Sequence, residues 1–239
     1  MTEIAFDNWR LKEEYMNRKY YEAYDDRYRQ VHNRNLCWHE AEASPIVIET
    51  IEKYRIGREC SILEIGCGEG RDAIPLLRDG FSVLSTDISS EAIRYCRLLD
   101  ERYADSFQVL DVISGTLAEN YHFIYGIAVI HMLVLDEDRS AFYRFIRDHL
   151  KDCGIALICS MGDGVVEHCS EISTAFALQE RVHSQTGQKM AIVGTSCRMV
   201  SFECFHKELK ESGLYVLESG ITDTVPGFSQ MMYAVVRRL

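Results

Sequence analysis

SILEIGCGEGRDAIPLLRDGFSVLSTD, residues 61–87, is the stretch that decides the fold of this chain. It predicts a strand over residues 61–65, a glycine-rich turn over 66–70, a helix, and a second strand over 82–86 that ends at Asp87. A short apolar run such as the first is typical of a strand buried on both faces. Glycines at alternate positions permit backbone angles that other residues avoid and let a ligand approach the main chain. The following helix points its free N–H groups into the turn.

Acidic residues around this turn limit the kinds of ligand that it can bind. Asp87 follows Gly66 by about twenty residues, the spacing that brings a carboxylate onto a ribose diol. The turn reads G-x-G-x-G after Glu64, not the G-x-G-x-x-G of a dinucleotide fold. Acids in the turn would repel a pyrophosphate, whereas Glu64 and Glu69 favour a ligand with a cationic head. The alternative is a tight structural turn in an unrelated α/β protein.

Residues 64–70 match in full the pattern E/D-x-G-x-G-x-G, the first motif of the class I S-adenosylmethionine-dependent methyltransferases, and the sequence resembles this family. The resemblance implies an α/β, doubly wound, Rossmann-like sheet of seven mostly parallel strands with an antiparallel last strand. It implies S-adenosylmethionine as cofactor and S-adenosylhomocysteine as product. The cofactor-binding residues that it implies lie in the turn and at the strand ends: Glu64, Gly66, Cys67, Gly68, Gly70, Arg71, Asp87, Ile88, Asp111, Val112, Ile127 and Ala128.

The resemblance also assigns roles to these positions. A carboxylate at Asp111, after the third strand, would accept a hydrogen bond from the adenine amino group, and Ile88 and Val112 would enclose the adenine ring. The backbone at Ile127 and Ala128, after a fourth strand over residues 121–127, would reach the methionyl amine. For Asp111 taken alone, an ordinary loop aspartate is the alternative.

Trp38 and Pro45 resemble a short segment found in the thiopurine and tellurite-type branch of the family. Ser44 is expected to be the N-cap of a helix and Pro45 its first residue. The resemblance places Trp38 against the methionyl end of the cofactor, where an indole face can contact a sulfonium by cation–π attraction. A tryptophan packed in the core is the alternative.

His131 is the candidate catalytic residue, because it follows the fourth strand at the edge of the sheet where open α/β folds bind ligands. It is expected to act as a general base or to contact the acceptor; packing under a loop is the alternative. The neighbouring sequence departs from the family, with His122 in place of an aspartate and Gly126 in place of a serine. His168 is a second candidate base. No His/Cys cluster with zinc spacing is present, so no metal is expected.

Residues 1–239 are expected to form a single methyltransferase-like domain. Two segments of it are expected to lie outside the central sheet. Residues 1–34 predict helices, with Tyr20, Tyr24 and Tyr28 on one face, either as a lid over the acceptor or as a stripe packed on the domain. Residues 161–201 form an insertion after the fifth strand, either a substrate cap or a variable surface loop. Within it, 189–193 and 196–200 are expected to pair around Gly194.

Composition limits the classes of partner. Apolar residues make up 47% of the 239, enough for a full core without disulfides. A net charge of −11 argues against binding phosphate backbones. Nine cysteines without a C-x-x-C pair indicate reduced thiols and a cytoplasmic location. Residues 1–10 lack the features of a signal peptide, and the longest apolar run is too short to span a bilayer.

The sequence therefore predicts methyl transfer from S-adenosylmethionine to a small-molecule acceptor by in-line displacement. Holding both reactants in line can contribute roughly 7–11 kcal/mol, so no special catalytic group is required. Residues 127–130 read IAVI, unlike the D/N-P-P-Y/F of nucleic-acid amino methylases. An RNA methyltransferase, an NAD(P)-dependent oxidoreductase and a cofactor-binding protein without turnover remain as alternatives. The sequence leaves the oligomeric state open.

Overall fold

The computed structural model describes residues 18–38, 42–182 and 186–239. Its six α-helices are α1 (Ala23–His32), α2 (Pro45–Lys53), α3 (Ala73–Arg78), α4 (Ser90–Leu99), α5 (Asp136–His149) and α6 (Phe202–Glu211) within those ranges. The strands in the same part of the chain are β1 (Ser61–Ile65), β2 (Ser82–Asp87), β3 (Phe107–Val109), β4 (Tyr121–Ile127), β5 (Leu150–Met161), β6 (His168–Cys169), β7 (Leu178–Val182), β8 (Lys189–Val193), β9 (Arg198–Met199), β10 (Leu214–Thr222) and β11 (Met231–Arg238).

Seven strands form the central sheet, in the order β10-β11-β5-β4-β1-β2-β3. Strands β1 to β5 run parallel to one another, and β11 is antiparallel to both β5 and β10. The predicted fold class is confirmed, including the antiparallel last strand, the N-terminal helical extension and the insertion after the fifth strand. Because β1 is central and its neighbours are parallel, their carboxyl ends meet at one edge of the sheet, next to the glycine turn.

The middle of the sheet is buried on both faces. Along β1, Leu63 and Ile65 pack into the apolar layer on one side, whereas Ile62 packs into the layer on the other. Along β4, Ile124 and Phe123 divide in the same way. Successive side chains on a strand point to opposite faces, so these mostly apolar strands supply both layers.

Local contacts set the ends of two helices near the glycine turn. Ser89 caps α4, its hydroxyl accepting a hydrogen bond from Ala92 N at 3.0 Å. The helix ends at Leu99, because Asp100 is extended (φ −150°, ψ 94°) and a 3-10 helix, Glu101–Ser106, follows. Ser44 is the N-cap of α2, but it contacts Asp72 with its side chain and not the first turn of its own helix.

The insertion folds as two small ribbons, and the predicted pairing within it is wrong. Strand β8 pairs antiparallel with β7, and β9 pairs with β6. Gly194 does not turn the chain back on itself; it continues the β7–β8 ladder by donating to Ala177 O at 2.7 Å. Ser196 then donates to Met132 O at 2.7 Å, which fixes the chain against the end of β4 and keeps 196–200 away from β8.

Helix α1 packs against β8 of the insertion and against α4 of the sheet domain. Before it, Tyr20 enters the core, where its hydroxyl donates to Asp138 Oδ2 at 2.7 Å and accepts from Val134 N at 3.0 Å. Residues 1–17 of the predicted lid lie outside the described residues. The N-terminal extension and the insertion thus lie side by side over one edge of the sheet.

Membrane-spanning helices, disulfide bonds and metal-binding clusters are absent from the described residues. No helix there combines the length and apolarity needed to cross a membrane. All nine cysteines lie in the described part of the chain and are free thiols. Within residues 18–38, 42–182 and 186–239, no group of three or more His, Cys, Asp or Glu side chains is arranged to hold a metal ion.

Candidate active site

Two adjoining cavities lie at the carboxyl ends of the parallel strands. The first has a volume of about 150 Å³ and the second of about 470 Å³. Together they fall in the range of small-molecule sites, about 300–1,000 Å³. The first is lined by Glu64, Gly66, Cys67, Gly68, Arg71, Asp87, Ile88, Asp111, Val112, Ile127, Ala128 and Trp38, with Asp72 and tyrosines of the N-terminal segment. The two cavities share the side chains of Tyr24, Trp38, Arg71 and Phe228.

The glycine turn forms the floor of the first cavity. Gly66 has a φ of +72°, and a Cβ there would lie 2.4 Å from Val129 Cγ2, so a side chain is excluded by both conformation and space. Gly68 also has a positive φ, and its N–H donates to Asp87. Gly70, although predicted to bind the cofactor, does not line the cavity; it faces Ile74 and Cys96 and permits α3 to pack closely on the sheet.

Asp87 lies at the end of β2 and is only 8% exposed. Its Oδ2 accepts from Gly68 N at 2.9 Å and its Oδ1 from Ser89 N at 2.8 Å. Burial raises its pKa to about 6, against the stabilising effect of these N–H donors. Each carboxylate oxygen has a second acceptor position, so the group can still accept hydrogen bonds from a ligand.

Asp111 closes the far end of the first cavity. It accepts from Ile113 N at 3.0 Å and Ser114 Oγ at 2.7 Å, and it forms an ion pair with Lys19 of the N-terminal segment. Burial opposes its ionisation, but these partners outweigh burial and lower its pKa. Tyr21 lies beside it, its hydroxyl 3.5 Å from Asp111 Oδ2. Asp111 is therefore an ionised acceptor at physiological pH.

Glu64 is a buried carboxylate in the wall of the first cavity, 3% exposed. Its Oε2 has no hydrogen-bond partner of good geometry among the residues that the structure describes. Burial, followed by the charge of nearby Asp72, raises its pKa to about 8. The hydroxyls of Ser85 and Tyr125 and the charge of Arg71 offset this rise in pKa only in part. A buried acid of this kind is stabilised in its ionised form by a cation, so the chemistry of this site fits a ligand with a positive group. Glu69, the other predicted partner of a cationic head, lines neither cavity.

Helix α1 covers the first cavity and is latched to the sheet domain. Tyr24 and Tyr28 line the cavity, and Asp25 accepts from Ser89 Oγ at 2.7 Å and Glu91 N at 3.0 Å. At the end of the helix, His32 lies 2.8 Å from Glu69 through Nε2 and 2.8 Å from Glu91 through Nδ1. Since both ring nitrogens contact carboxylates, the doubly protonated imidazolium satisfies both contacts.

His32 is expected to make the packing of α1 on the sheet domain pH-dependent. Burial alone would lower the pKa of His32, but its hydrogen bonds to Glu69 and Glu91 outweigh burial and raise it. A raised pKa means that the latch is fully present below about pH 6.5 and is lost as the pH rises through the raised value. Amide hydrogen exchange in residues 23–32 should therefore be faster at pH 9 than at pH 6, relative to the intrinsic rates.

A matched pair of variants checks the origin of that pH dependence. His32→Gln should remove most of the difference between the two pH values, whereas His206→Gln, on α6 and bonded to Ser219, should leave it unchanged. Equal protection of α1 in wild type at both pH values would show that the latch does not depend on His32.

His131 lies in the wall of the second cavity, 3% exposed, with its ring edge toward Phe228. Burial, with a smaller effect from the charge of Arg139, lowers its pKa to about 4. Its Nδ1 accepts weakly from Met161 N at 3.4 Å, which leaves the ring proton on Nε2. The side chain is thus neutral at physiological pH.

Three other predicted positions lie away from both cavities. His168, the second candidate base, is exposed on β6 and lines neither. His122 is at the opposite end of β4, where it accepts from Ser61 N at 3.0 Å. Gly126 packs against Phe142. The departures from the family pattern at residues 122 and 126 therefore do not alter the lining of the site.

Trp38 lines both cavities, and its backbone N–H donates to Glu69 Oε1 at 2.7 Å. The guanidinium of Arg27 lies 4.8 Å from the indole ring centre. The ring face that Arg27 covers is therefore unavailable to a sulfonium, and a cation–π contact with a ligand requires the opposite face.

Sequence reasoning gave no site role to several residues that line the cavities. Arg27 lies within the tyrosine-rich N-terminal run, Arg181 within the insertion, and Phe228 in the loop before β11. Each is far from the others in sequence, and none belongs to a local motif. The one usable signal was the helical spacing of the tyrosines around Arg27, which indicates the face of α1 but not its contacts.

An open α/β sheet with a glycine turn and buried carboxylates at its carboxyl edge is typical of domains that bind nucleosides. Residues 63–156, about two fifths of the chain, match a family model described as a methyltransferase domain. This match supports the predicted class, the class I S-adenosylmethionine-dependent methyltransferases, whose cofactor is S-adenosylmethionine.

Among curated proteins, the chain is similar to the probable S-adenosyl-L-methionine-dependent methyltransferase TehB of Haemophilus influenzae, with 26% identity over 112 residues. The match covers 46% of this chain and spans about two fifths (39%) of that relative. Among solved structures, an S-adenosylmethionine-dependent methyltransferase from Clostridium acetobutylicum has a TM-score of 0.62 at 13% identity, covering 88% of this chain and 96% of that one. The glycopeptide N-methyltransferase MtfA, in complex with S-adenosyl-L-methionine, has a TM-score of 0.61 at 18% identity, covering 83% and 88%. These structural likenesses support the fold.

Proposed function

We propose that the protein transfers a methyl group from S-adenosylmethionine, bound in the first cavity, to a small molecule bound in the second. The observation that carries the proposal is the junction of the two cavities at Tyr24, Trp38, Arg71 and Phe228. One side of this junction holds a glycine turn, two aspartates that line the cavity and the buried carboxyl group of Glu64. The other side holds a separate space in which an acceptor can approach the first ligand.

In this proposal the first cavity binds the cofactor along its length. Asp87 would accept hydrogen bonds from the ribose and Asp111 one from the adenine amino group, and Ile88 and Val112 would contact the ring faces; all four residues line this cavity. Glu64 and the backbone of residues 127–128 would hold the cationic methionyl end. When bound, the cofactor supplies a methyl group on a positively charged sulfur, which an acceptor atom attacks in line.

The protein's own contribution is positioning and exclusion of water. Tyrosines of α1 line the first cavity and residues of the insertion line the second, so both segments help to hold the two reactants in position. His131 is neutral and, with a pKa near 4, a weak proton acceptor. We assign it the contact role of the two expected for it: its Nε2–H is available to donate to the acceptor.

Binding of S-adenosylmethionine is expected to release a proton from Glu64. With a pKa of about 8, the free protein carries Glu64 mainly protonated at pH 7, and a cationic group placed beside it favours ionisation. Calorimetric titrations at pH 7 in two buffers of different ionisation enthalpy should give a release of nearly one proton per ligand. Affinity should therefore rise with pH toward pH 8.

The matched variant is Glu64→Gln, which keeps the shape of the side chain and removes its charge. It should bind S-adenosylmethionine about tenfold or more weakly, as expected for loss of a hydrogen bond to a charged group, and should release no proton from this position. Proton release of the same size from wild type and variant would place the cationic end of the cofactor elsewhere.

The alternatives fit the described site less well. A dinucleotide would place its pyrophosphate beside the turn, close to Glu64, where it would supply no positive group to balance the buried acid. An RNA acceptor would require a basic strip on a chain of net charge −11. A protein that only binds the cofactor has no need of a second adjoining cavity.

Native mass spectrometry of the freshly purified protein tests the proposal, followed by transfer of a labelled methyl group to a panel of small acceptors. We expect a co-purified or added S-adenosyl ligand at one per chain and incorporation of label into at least one acceptor. Retention of NADH in preference to S-adenosylhomocysteine would favour the oxidoreductase instead. Tight binding of the cofactor without transfer to any acceptor would favour the non-catalytic alternative.

A further inference from the structure

The second cavity has an unbalanced charge. Its lining includes three arginines, Arg27, Arg71 and Arg181, and no aspartate or glutamate from the part of the chain that the structure describes. This is unexpected in a protein with 37 acidic and 26 basic residues, where a random wall would carry more negative than positive side chains. The lining is therefore a local exception to the charge of the whole chain.

Arg27 is the most informative of the three, because it is 5% exposed. Its guanidinium donates to Val193 O at 3.2 and 3.0 Å and to Thr195 Oγ1 at 3.1 Å, all uncharged acceptors. The rings of Tyr24 and Trp38 lie 5.0 and 4.8 Å from it. Among the described residues no carboxylate forms an ion pair with it, whereas buried charges are normally paired.

The two other arginines of the second cavity bring no carboxylate that pairs with Arg27. Arg71 is paired with Asp72 at 3.3 Å, and its Nε donates to nothing in the described chain. The guanidinium of Arg181 donates to the amide oxygen of Gln179 at 3.2 Å, and it forms no ion pair with another of the described residues. Burial lowers the pKa of Arg27, and the positive charge of Arg181 acts in the same direction. The cavity thus holds positive charge that the described protein leaves without a counter-ion.

We propose that the second cavity binds an acceptor that carries a carboxylate, or a comparable oxyanion, on a small apolar body. Arg27 and Arg181 contact the anionic group, and Tyr24 and Phe228 contact the apolar part. This inference rests on the proposed function, since it names the class of acceptor for the same reaction.

The charge of the donor adds a second reason for an anionic acceptor. In the proposed function, a cofactor in the first cavity would bring a positive sulfur toward the junction, where Arg71 lines both cavities. A neutral or cationic acceptor would leave the guanidinium of Arg27 unpaired next to that sulfur. An anion supplies the missing counter-charge for both, and its negative charge draws it toward the electrophilic methyl group.

Benzoate, phenyl phosphate and benzamide are suitable probes, because they share a ring and differ in charge. Each is titrated by calorimetry into the full-length protein, with and without saturating S-adenosylhomocysteine. We expect benzoate or phenyl phosphate to bind at least about tenfold more tightly than benzamide, as charged hydrogen bonds to guanidinium predict. The stronger of the two anions identifies the oxyanion as carboxylate or phosphate. Equal or tighter binding of benzamide, or no binding of either anion, would overturn the proposal.

Variants locate the effect. Arg27→Gln should remove the preference for the anion, and Arg181→Gln, at an exposed position, should reduce it without affecting the fold. Arg34→Gln, which removes an exposed positive charge that lines neither cavity, is the control and should keep the full preference. If Arg27→Gln fails to fold by circular dichroism, Arg181→Gln decides, and an undiminished preference in that variant contradicts the proposal.

A failure of this inference is distinguishable from a failure of the proposed function. Wild-type protein that binds S-adenosylhomocysteine but shows no preference for anions would leave methyl transfer standing and exclude the anionic acceptor. Protein that prefers anions but binds no S-adenosyl ligand would contradict the methyltransferase proposal. The second cavity would then be an anion-binding site with a different function.

Discussion

Replacement of Asp87 by alanine is expected to abolish most of the affinity for S-adenosylhomocysteine. The carboxylate lies at the end of β2 in the wall of the first cavity, and its position matches that of a ribose-binding acid. Each hydrogen bond between a ribose hydroxyl and a charged acceptor contributes about 1.5–3 kcal/mol, so the loss of even one raises the Kd at least about tenfold. Isothermal titration calorimetry measures the change directly.

Two controls separate this effect from damage to the turn, because Asp87 also accepts from Gly68 N and Ser89 N. Asp87→Asn keeps the shape and one acceptor and should have an intermediate affinity. Asp105→Ala, at an exposed position outside both cavities, should bind as wild type. An Asp87→Ala protein that is folded and keeps its affinity would falsify the ribose assignment.

Replacement of Arg139 by methionine is expected to have the largest effect on stability. Arg139 is 1% exposed, and its guanidinium forms a bidentate pair with Glu208 at 2.7 and 2.6 Å. It also donates to Ile130 O at 2.9 Å, so it holds the turn that carries His131. Removing one partner of a fully buried pair costs about 3–5 kcal/mol. Glu208 is half-buried and keeps contacts with Tyr143 and Arg198, so the loss is expected at the lower end, about 3 kcal/mol. Equilibrium unfolding in urea should show a loss of this size.

Two further variants test whether the loss of stability comes from the Arg139–Glu208 pair. Arg144→Met, on the exposed face of the same helix, should change the free energy of unfolding by less than about 0.5 kcal/mol. The double variant Arg139→Met with Glu208→Leu should recover part of the loss, because it leaves no unpaired buried charge. A single Arg139→Met variant as stable as Arg144→Met would mean that the Glu208 pair contributes nothing net.

The first cavity could be anticipated from sequence because its parts are local. The glycine turn, Glu64 and Asp87 lie within one strand–turn–helix–strand unit, and parallel pairing brings Asp111 to the same edge. Their register follows from the apolar runs of the strands. The cofactor roles of these residues remain predictions until a ligand is measured.

The second cavity could not be anticipated, because it is built from distant segments. Arg27, Arg181 and Phe228 meet only when the N-terminal helix and the insertion pack over the sheet. Likewise, the apolar pattern of residues 189–193 indicates a strand but does not indicate which strand it pairs with. Its partner β7 is hard to recognise in the sequence, because its apolar residues Leu178 and Val182 are exposed and do not mark a buried face.

The tyrosine stripe shows that two hypotheses can share one pattern. Tyr20 packs in the core, whereas Tyr24 and Tyr28 line the first cavity. Helical spacing predicts that all three tyrosines lie on one face of the N-terminal segment. That face contacts the core at Tyr20 and the first cavity at Tyr24 and Tyr28. The chemistry of His131 is hidden from sequence for a similar reason, since its low pKa arises from burial that only the tertiary structure creates.

The most direct test of the account is a crystal structure of the protein with S-adenosylhomocysteine. We predict adenosine in the first cavity, with the ribose hydroxyls within hydrogen-bond distance of Asp87, the adenine amino group toward Asp111, and the sulfur directed at the junction with the second cavity. A nucleoside bound elsewhere, or a first cavity that stays filled by protein side chains at saturating ligand, would contradict it.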